Sequence, residues 1–138
     1  MNATEVVQRY VNAWNRHDAD AIVAAFAEGG TYHNPYMDQP ITGEAIGTFA
    51  KSVWAGYPDF SVELISIGET GGGLVAFQWV VRGTNTGPGL DGTPPTGRAI
   101  KLPGATFFQV EGDKIRSEQV YHDRQTIAEQ QGLKATKD

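Results

Sequence analysis

Residues 74–86 read LVAFQWVVRGTNT, with Phe77, Trp79 and Val81 falling on one side of an alternation and Gln78, Val80, Arg82 and Thr84 on the other. A period of two is that of a β-strand, whose successive side chains point to opposite faces. The same period runs through 60–68 (FSVELISIG), 99–111 (AIKLPGATFFQVE) and 114–122 (KIRSEQVYH). Between these runs lie Gly71-Gly72-Gly73, a Gly/Pro-rich loop and Gly112-Asp113. Glycine-rich breaks of this kind allow tight reversals, so the four runs predict an antiparallel meander whose last pair is a hairpin.

Before Pro58 the period is different. Over 3–15, Val6, Val7, Tyr10, Val11 and Trp14 recur at helical spacing with polar residues between them. Asp18 is placed to cap a second helix carrying Ile22, Val23 and Phe26, with Gly29-Gly30 as its expected stop. A short strand is expected over 31–34, halted by Pro35, and then a third helix over 43–56 that buries Ile46, Phe49, Val53 and Trp54. A final helix over 124–131 should end at Gly132, and the tail KATKD (134–138) is expected to fray. Helices followed by a run of strands predict an α+β fold: three N-terminal helices on one face of a strongly curved, mostly antiparallel sheet, with a short C-terminal helix. Such a sheet forms a cone whose mouth becomes a pocket.

Composition narrows the function. The 138 residues suit one domain spanning 1–138, and no apolar run approaches the ~20 residues of a membrane span. Eleven basic against 16 acidic residues give a formal charge of −5, which repels phosphate backbones and argues against a nucleic-acid partner. With no cysteine, thiolate nucleophiles and zinc ribbons are excluded. The N-terminal MNATEVVQRY has no basic and apolar signal pattern, so a cytoplasmic location is expected. His17, His33 and His122 share no ligand-type spacing, so no metal is expected. No nucleotide-binding glycine motif or acyl-enzyme signature occurs, so no cofactor is expected. Phe107 opposes Phe108, and both faces of the sheet carry large apolar groups, which predicts that a second subunit covers one of them in a homodimer or homotetramer.

Counting in twos from Ile115 puts Ser117, Gln119, Tyr121 and Asp123 on one face. If that face lines the cone, Asp123 is a desolvated carboxyl suited to general-base work; the alternative is that it caps the helix beginning at Arg124. Arg82 either faces the pocket, where its fork holds Asp123 ionised or binds a substrate oxygen, or pairs with a surface acid such as Glu63 or Glu118. Thr106 shares a row with Leu102 and Phe108 and is either a pocket residue or an ordinary strand threonine. His33 and His122 are expected at the surface or an interface, with His33 a replacement base.

The order of WNRHD (14–18), RGTNTG (82–87), PPTGR (94–98), GDKI (112–115), Tyr121-His122-Asp123 and EQQGL (129–133) resembles the SnoaL-like polyketide (ester) cyclases of the NTF2-like superfamily. The resemblance implies a cone fold and an intramolecular aldol-type ring closure of a lyase or isomerase kind, with Asp123 as acid/base. It also puts Thr106 where those cyclases carry a His. A second resemblance, to the limonene-type epoxide hydrolases, matches Tyr32 and Asn34, Arg82 and Asp123, with Thr84 in place of a second Asp. The expectation is therefore an enzyme acting on a small or polycyclic hydrophobic carbonyl compound through Asp123, Arg82, Tyr32 and Asn34. Trp54, Thr84, Thr106, Phe108 and Tyr121 are then the substrate contacts. A non-catalytic small-molecule-binding module is the alternative.

Overall fold

The computed structural model describes residues 1–89 and 92–132. In chain order the elements are α1 (Ala3–Asn15), α2 (Ala19–Ala24), β1 (Phe26–His33), β2 (Ile41–Thr42), α3 (Glu44–Gly56), β3 (Ser61–Gly71), β4 (Leu74–Thr84), β5 (Ala99–Glu111), β6 (Lys114–Tyr121) and α4 (Arg124–Gln130). The tail 134–138 lies outside the described residues.

Local chemistry sets the helix starts. The Asn2 side chain accepts from the Glu5 backbone N–H at 2.9 Å while Glu5 accepts from the Asn2 N–H at 3.0 Å, a reciprocal cap that satisfies two donors at the start of α1. Asp18 caps α2 by accepting from the Ala21 N–H at 3.0 Å. The apolar stripe of α1 (Val6, Val7, Tyr10, Ala13, Trp14) is buried, as are Ile46 and Ala50 of α3.

The six strands are ordered β2-β1-β6-β5-β4-β3. The antiparallel order of the meander β3 to β6 is as predicted, and β4 and β5 pair without a shift, with Phe77 opposite Thr106 and Trp79 opposite Gly104. The inner row Val75, Phe77, Trp79 and Val81 is buried against the helices, and Leu102, Phe108 and Val110 of β5 continue the core. Among the described residues, no helix is long and apolar enough to cross a membrane.

The segment after α2 departs from the sequence expectation. The helix ends at Ala24, and 26–33 is a strand paired parallel to β6, with Phe26 opposite Ile115 and Tyr32 opposite Glu118. Phe26 is 8% exposed and its ring stands edge-on to Tyr10 at 5.4 Å, so burial beside a remote strand outweighs one more helical turn. Gly29 and Gly30 mark the irregularity in this pairing. Gly29 has φ 74°, and a Cβ on Gly30 would meet the Ile115 carbonyl oxygen at 2.7 Å.

The motifs around 82–98 are joined by a buried asparagine. Asn85 donates to the Gly56 carbonyl at 3.2 Å and accepts from the Thr96 N–H at 2.8 Å, so it ties the end of α3 to the Gly/Pro loop.

Candidate active site

A cavity of about 850 Å³ lies between the sheet and helices α1, α3 and α4. Its walls are apolar: Phe77, Trp79, Val81, Leu102 and Phe108 from the sheet, and Trp14, Phe49 and Val53 from the helices. The deep end carries Tyr10, Tyr32, Asn34 and Glu118, all nearly inaccessible to solvent. The mouth carries the exposed Tyr36, Arg124 and Gln125, with Tyr57 and Gln131, whose amide donates to the Tyr57 hydroxyl.

Glu118 is the carboxyl of this cavity, and it is 6% exposed. Its Oε1 accepts from the Tyr10 hydroxyl at 2.6 Å, and among the described residues no donor is bonded to its other oxygen. Burial pushes its pKa from 4.5 up to about 8, against a smaller opposite pull from the Tyr10 hydrogen bond. Tyr10 and Tyr32 are raised by burial and then by the neighbouring Glu118 carboxyl, so both remain hydrogen-bond donors. Asn34 accepts from the Tyr36 N–H at 2.9 Å through its side-chain oxygen and points its amide at the Tyr32 hydroxyl, 3.4 Å away. Trp79 Nε1 donates to Thr106 Oγ1 at 2.8 Å, which explains a buried threonine in an apolar wall.

The structure brings four of the residues singled out from the sequence to the cavity: Tyr32, Asn34, Thr106 and Phe108. It moves the others elsewhere. Asp123 is exposed and caps α4, with one oxygen accepting from the Gln125 N–H at 3.0 Å and the other from the Thr126 hydroxyl at 3.1 Å. Tyr121 is 55% exposed and packs edge-on to Phe107 on the outer face.

One inserted residue accounts for both corrections. In the β5·β6 ladder Val110 opposes Ile115 but Gln109 opposes Ser117, so Arg116 is a bulge. Beyond it the faces of β6 exchange: Glu118, Val120 and His122 point into the cavity, and the 117-119-121-123 row points away.

Arg82 is on the outer face of β4, where its guanidinium meets Glu63 at 2.5 Å, the surface pairing weighed in the sequence. Thr84 is also outside the cavity, its backbone N–H and hydroxyl donating to Asp59 at 2.6 and 2.8 Å. Both follow from the same alternation: the bulkier row of β4 takes the buried face. With Arg82, Thr84 and Asp123 apart from Tyr32 and Asn34, an epoxide-hydrolase relay is not assembled. Trp54 packs behind the wall, stacked on His17 at 4.7 Å and edge-on to Trp14 at 5.6 Å.

The histidines divide. His33 is bonded to Gln119 and to the Met37 carbonyl, and His17 to the Phe60 carbonyl. His122, expected at the surface, lines the cavity because of the same bulge, and burial lowers its pKa.

Sequence reasoning missed Tyr10, Glu118 and His122 as site residues. One signal was present. In KIRSEQVY the large aliphatic residues Ile115 and Val120 are five apart, a spacing that a strict period of two cannot place on one face.

A curved sheet closed by helices over a pocket is the architecture of NTF2-like, or ketosteroid isomerase-like, proteins. The solved structures agree. A candidate SnoaL-like polyketide cyclase from Jannaschia sp. CCS1 superposes with a TM-score of 0.83 at 20% identity, over 96% of this chain and 93% of that one. A Catenulispora acidiphila protein with a ketosteroid isomerase-like fold, solved with trimethylamine, gives 0.81 at 24% identity, over 94% of each chain. IdmH from Streptomyces antibioticus, a candidate polyketide cyclase, gives 0.79 at 24% identity, over 96% of this chain and 100% of that one. At these identities the likeness is one of fold. Residues 7–118 match the model of the SnoaL-like domain, and the chain belongs to that family.

Proposed function

We propose that this protein catalyses proton transfer and aldol-type ring closure on a hydrophobic carbonyl compound, as a polyketide-cyclase-like enzyme, with Glu118 as its acid/base. The observation that carries this reading is a carboxyl, raised to about 8, at the deep end of an apolar cavity and held by the Tyr10 hydroxyl.

In this reading ionised Glu118 takes the proton of a C–H flanked by carbonyls. The charge that develops on the carbonyl oxygen is met by the Tyr32 hydroxyl and the Asn34 amide. The enolate carbon then attacks a second carbonyl of the same molecule, and the carboxylic acid returns the proton to the alkoxide. No atom is gained or lost. Tyr10 is a positioning residue, since its bond to Oε1 fixes the carboxyl plane. A pKa near the working pH suits a group that must first accept and then give back a proton.

Solvent deuterium exchange into a cyclic β-keto ester, whose C–H is a weaker acid than Glu118 and stays protonated over the range tested, tests this. The enzyme-catalysed rate is expected to rise with pH and level off above about 8, following ionisation of Glu118. Asp123→Asn, which keeps a good helix cap while removing the carboxylate, is expected to hold that rate within a few-fold. A flat profile between pH 6 and 9, or loss of exchange in Asp123→Asn, would move the chemistry away from Glu118.

The same reading includes a homodimer or homotetramer joined through the outer sheet face. There Phe107 and Tyr121, whose rings meet edge-on, are 44% and 55% exposed, an apolar patch that water does not favour. Phe107→Glu should then shift the mass measured by light scattering toward that of one chain; an unchanged mass would locate the contact elsewhere.

A further inference from the structure

We propose that the substrate carries a carboxylate at the end opposite its reacting carbonyl, lodged at the cavity mouth between Arg124 and His122. The carbonyl end rests on the proton-transfer reading given above; the carboxylate end rests on different residues.

Two observations support it. Among the described residues Arg124 is the only Lys or Arg lining the cavity, and the only carboxyl there, Glu118, is held largely neutral at pH 7 by burial. Among the described residues Arg124 takes no part in the ion pairs Arg16–Asp18, Arg82–Glu63 and Arg116–Glu111. Its guanidinium lies over the Tyr36 ring, 4.7 Å from the centroid, a contact that holds a cation in place without neutralising it.

His122 provides the second observation. Its ring stands 5.4 Å from the same Tyr36, and its Nδ1 is buried with no hydrogen-bond partner among the described residues. A buried polar nitrogen without a partner is costly, and a ligand oxygen at this position would satisfy it. Burial lowers the His122 pKa, so the ring meets that oxygen as a neutral N–H donor at pH 7.

The spacing gives the ligand a length. Glu118 and His122 lie four residues apart on the same face beyond the bulge, about 13 Å along an extended chain. A molecule that reaches both has an elongated apolar body with an acidic C–H at one end and a carboxylate at the other.

The test compares anthraquinone-2-carboxylate with its methyl ester by titration calorimetry. Wild type is expected to bind the acid about tenfold more tightly, the scale of one charge-assisted hydrogen bond. Arg124→Gln should bring the acid-to-ester ratio close to one by weakening the acid alone, Arg124→Lys should retain part of the preference, and His122→Phe should lose part of it. Equal affinities in wild type, a preference that survives Arg124→Gln, or no binding of either probe would overturn the proposal. A protein that prefers the acid yet never exchanges a C–H proton would keep this proposal and remove the catalytic one. Exchange without the preference would do the reverse.

Discussion

Glu118→Gln is expected to reduce catalysed deuterium exchange by about 10²- to 10⁴-fold and, in the same protein, to remove most of the pH dependence of stability between pH 5 and 8. The first effect follows from losing the only carboxyl that lines the cavity among the described residues. The second follows from linkage. The folded-state pKa of Glu118 is raised from 4.5 to about 8, so between those values the folded chain holds a proton that the unfolded chain has released. Stability is therefore fully present below about pH 4.5, falls as pH rises, and levels off beyond about 8. One pKa unit corresponds to about 1.4 kcal/mol, which puts the total loss on the order of 5 kcal/mol. For a chain of this size that is a fall in Tm of roughly 15–20 °C. Glutamine keeps an oxygen for the Tyr10 hydroxyl but has no charge to desolvate, so its Tm should change far less over the same range. Thermal unfolding of both proteins at pH 5, 6, 7, 8 and 9 checks this. Parallel curves would mean that Glu118 is not the buried acid described above.

Gly104→Ala is expected to destabilise the fold by about 2–4 kcal/mol and to weaken binding of any ligand that fills the cavity. Gly104 lies opposite Trp79 in the β4·β5 ladder, and the six-membered ring of the indole rests where a Cβ would stand. The indole is not free to yield: its Nε1 is bonded to Thr106 Oγ1 at 2.8 Å, and its ring is 6% exposed. A methyl group would drive it toward the cavity and break that bond, leaving a buried hydroxyl and a buried N–H to find new partners. Alanine restricts the unfolded chain more than glycine does, but the gain of about 0.4–1 kcal/mol is too small to offset the clash. The denaturation midpoint and the tryptophan emission maximum should both shift. A variant as stable as wild type with unchanged emission would show that the wall adapts without cost.

The outer sheet face and the mouth differ in how much of them can be read from residue order. Phe107 and Phe108 are neighbours that must face opposite ways, and the alternation of β5 leaves only the question of which face is buried. The helices answer it by covering Phe108, which is 1% exposed, and leaving Phe107 at 44%. Tyr32 and Asn34 were legible as a pair for the same reason, being two apart on a strand. The partners they meet were not, because β1 lies parallel to β6, eighty-six residues along the chain between His33 and Gln119.

The amino-acid order by itself determined the elements whose signal is periodic and local: an amphipathic α1, the four-strand meander, and the α+β arrangement that follows from helices preceding strands. Asp123 shows where that kind of reading stops. A period of two counted from Ile115 reaches it correctly in number but on the wrong side, because one extra residue at Arg116 rotates everything beyond it to the other face. Whether a strand accommodates such a residue depends on the ladders on both its flanks and on how much apolar surface each choice buries. Packing against β5, β1 and α1 selected Glu118 for the interior, and that choice exists only once the sheet has closed over the helices.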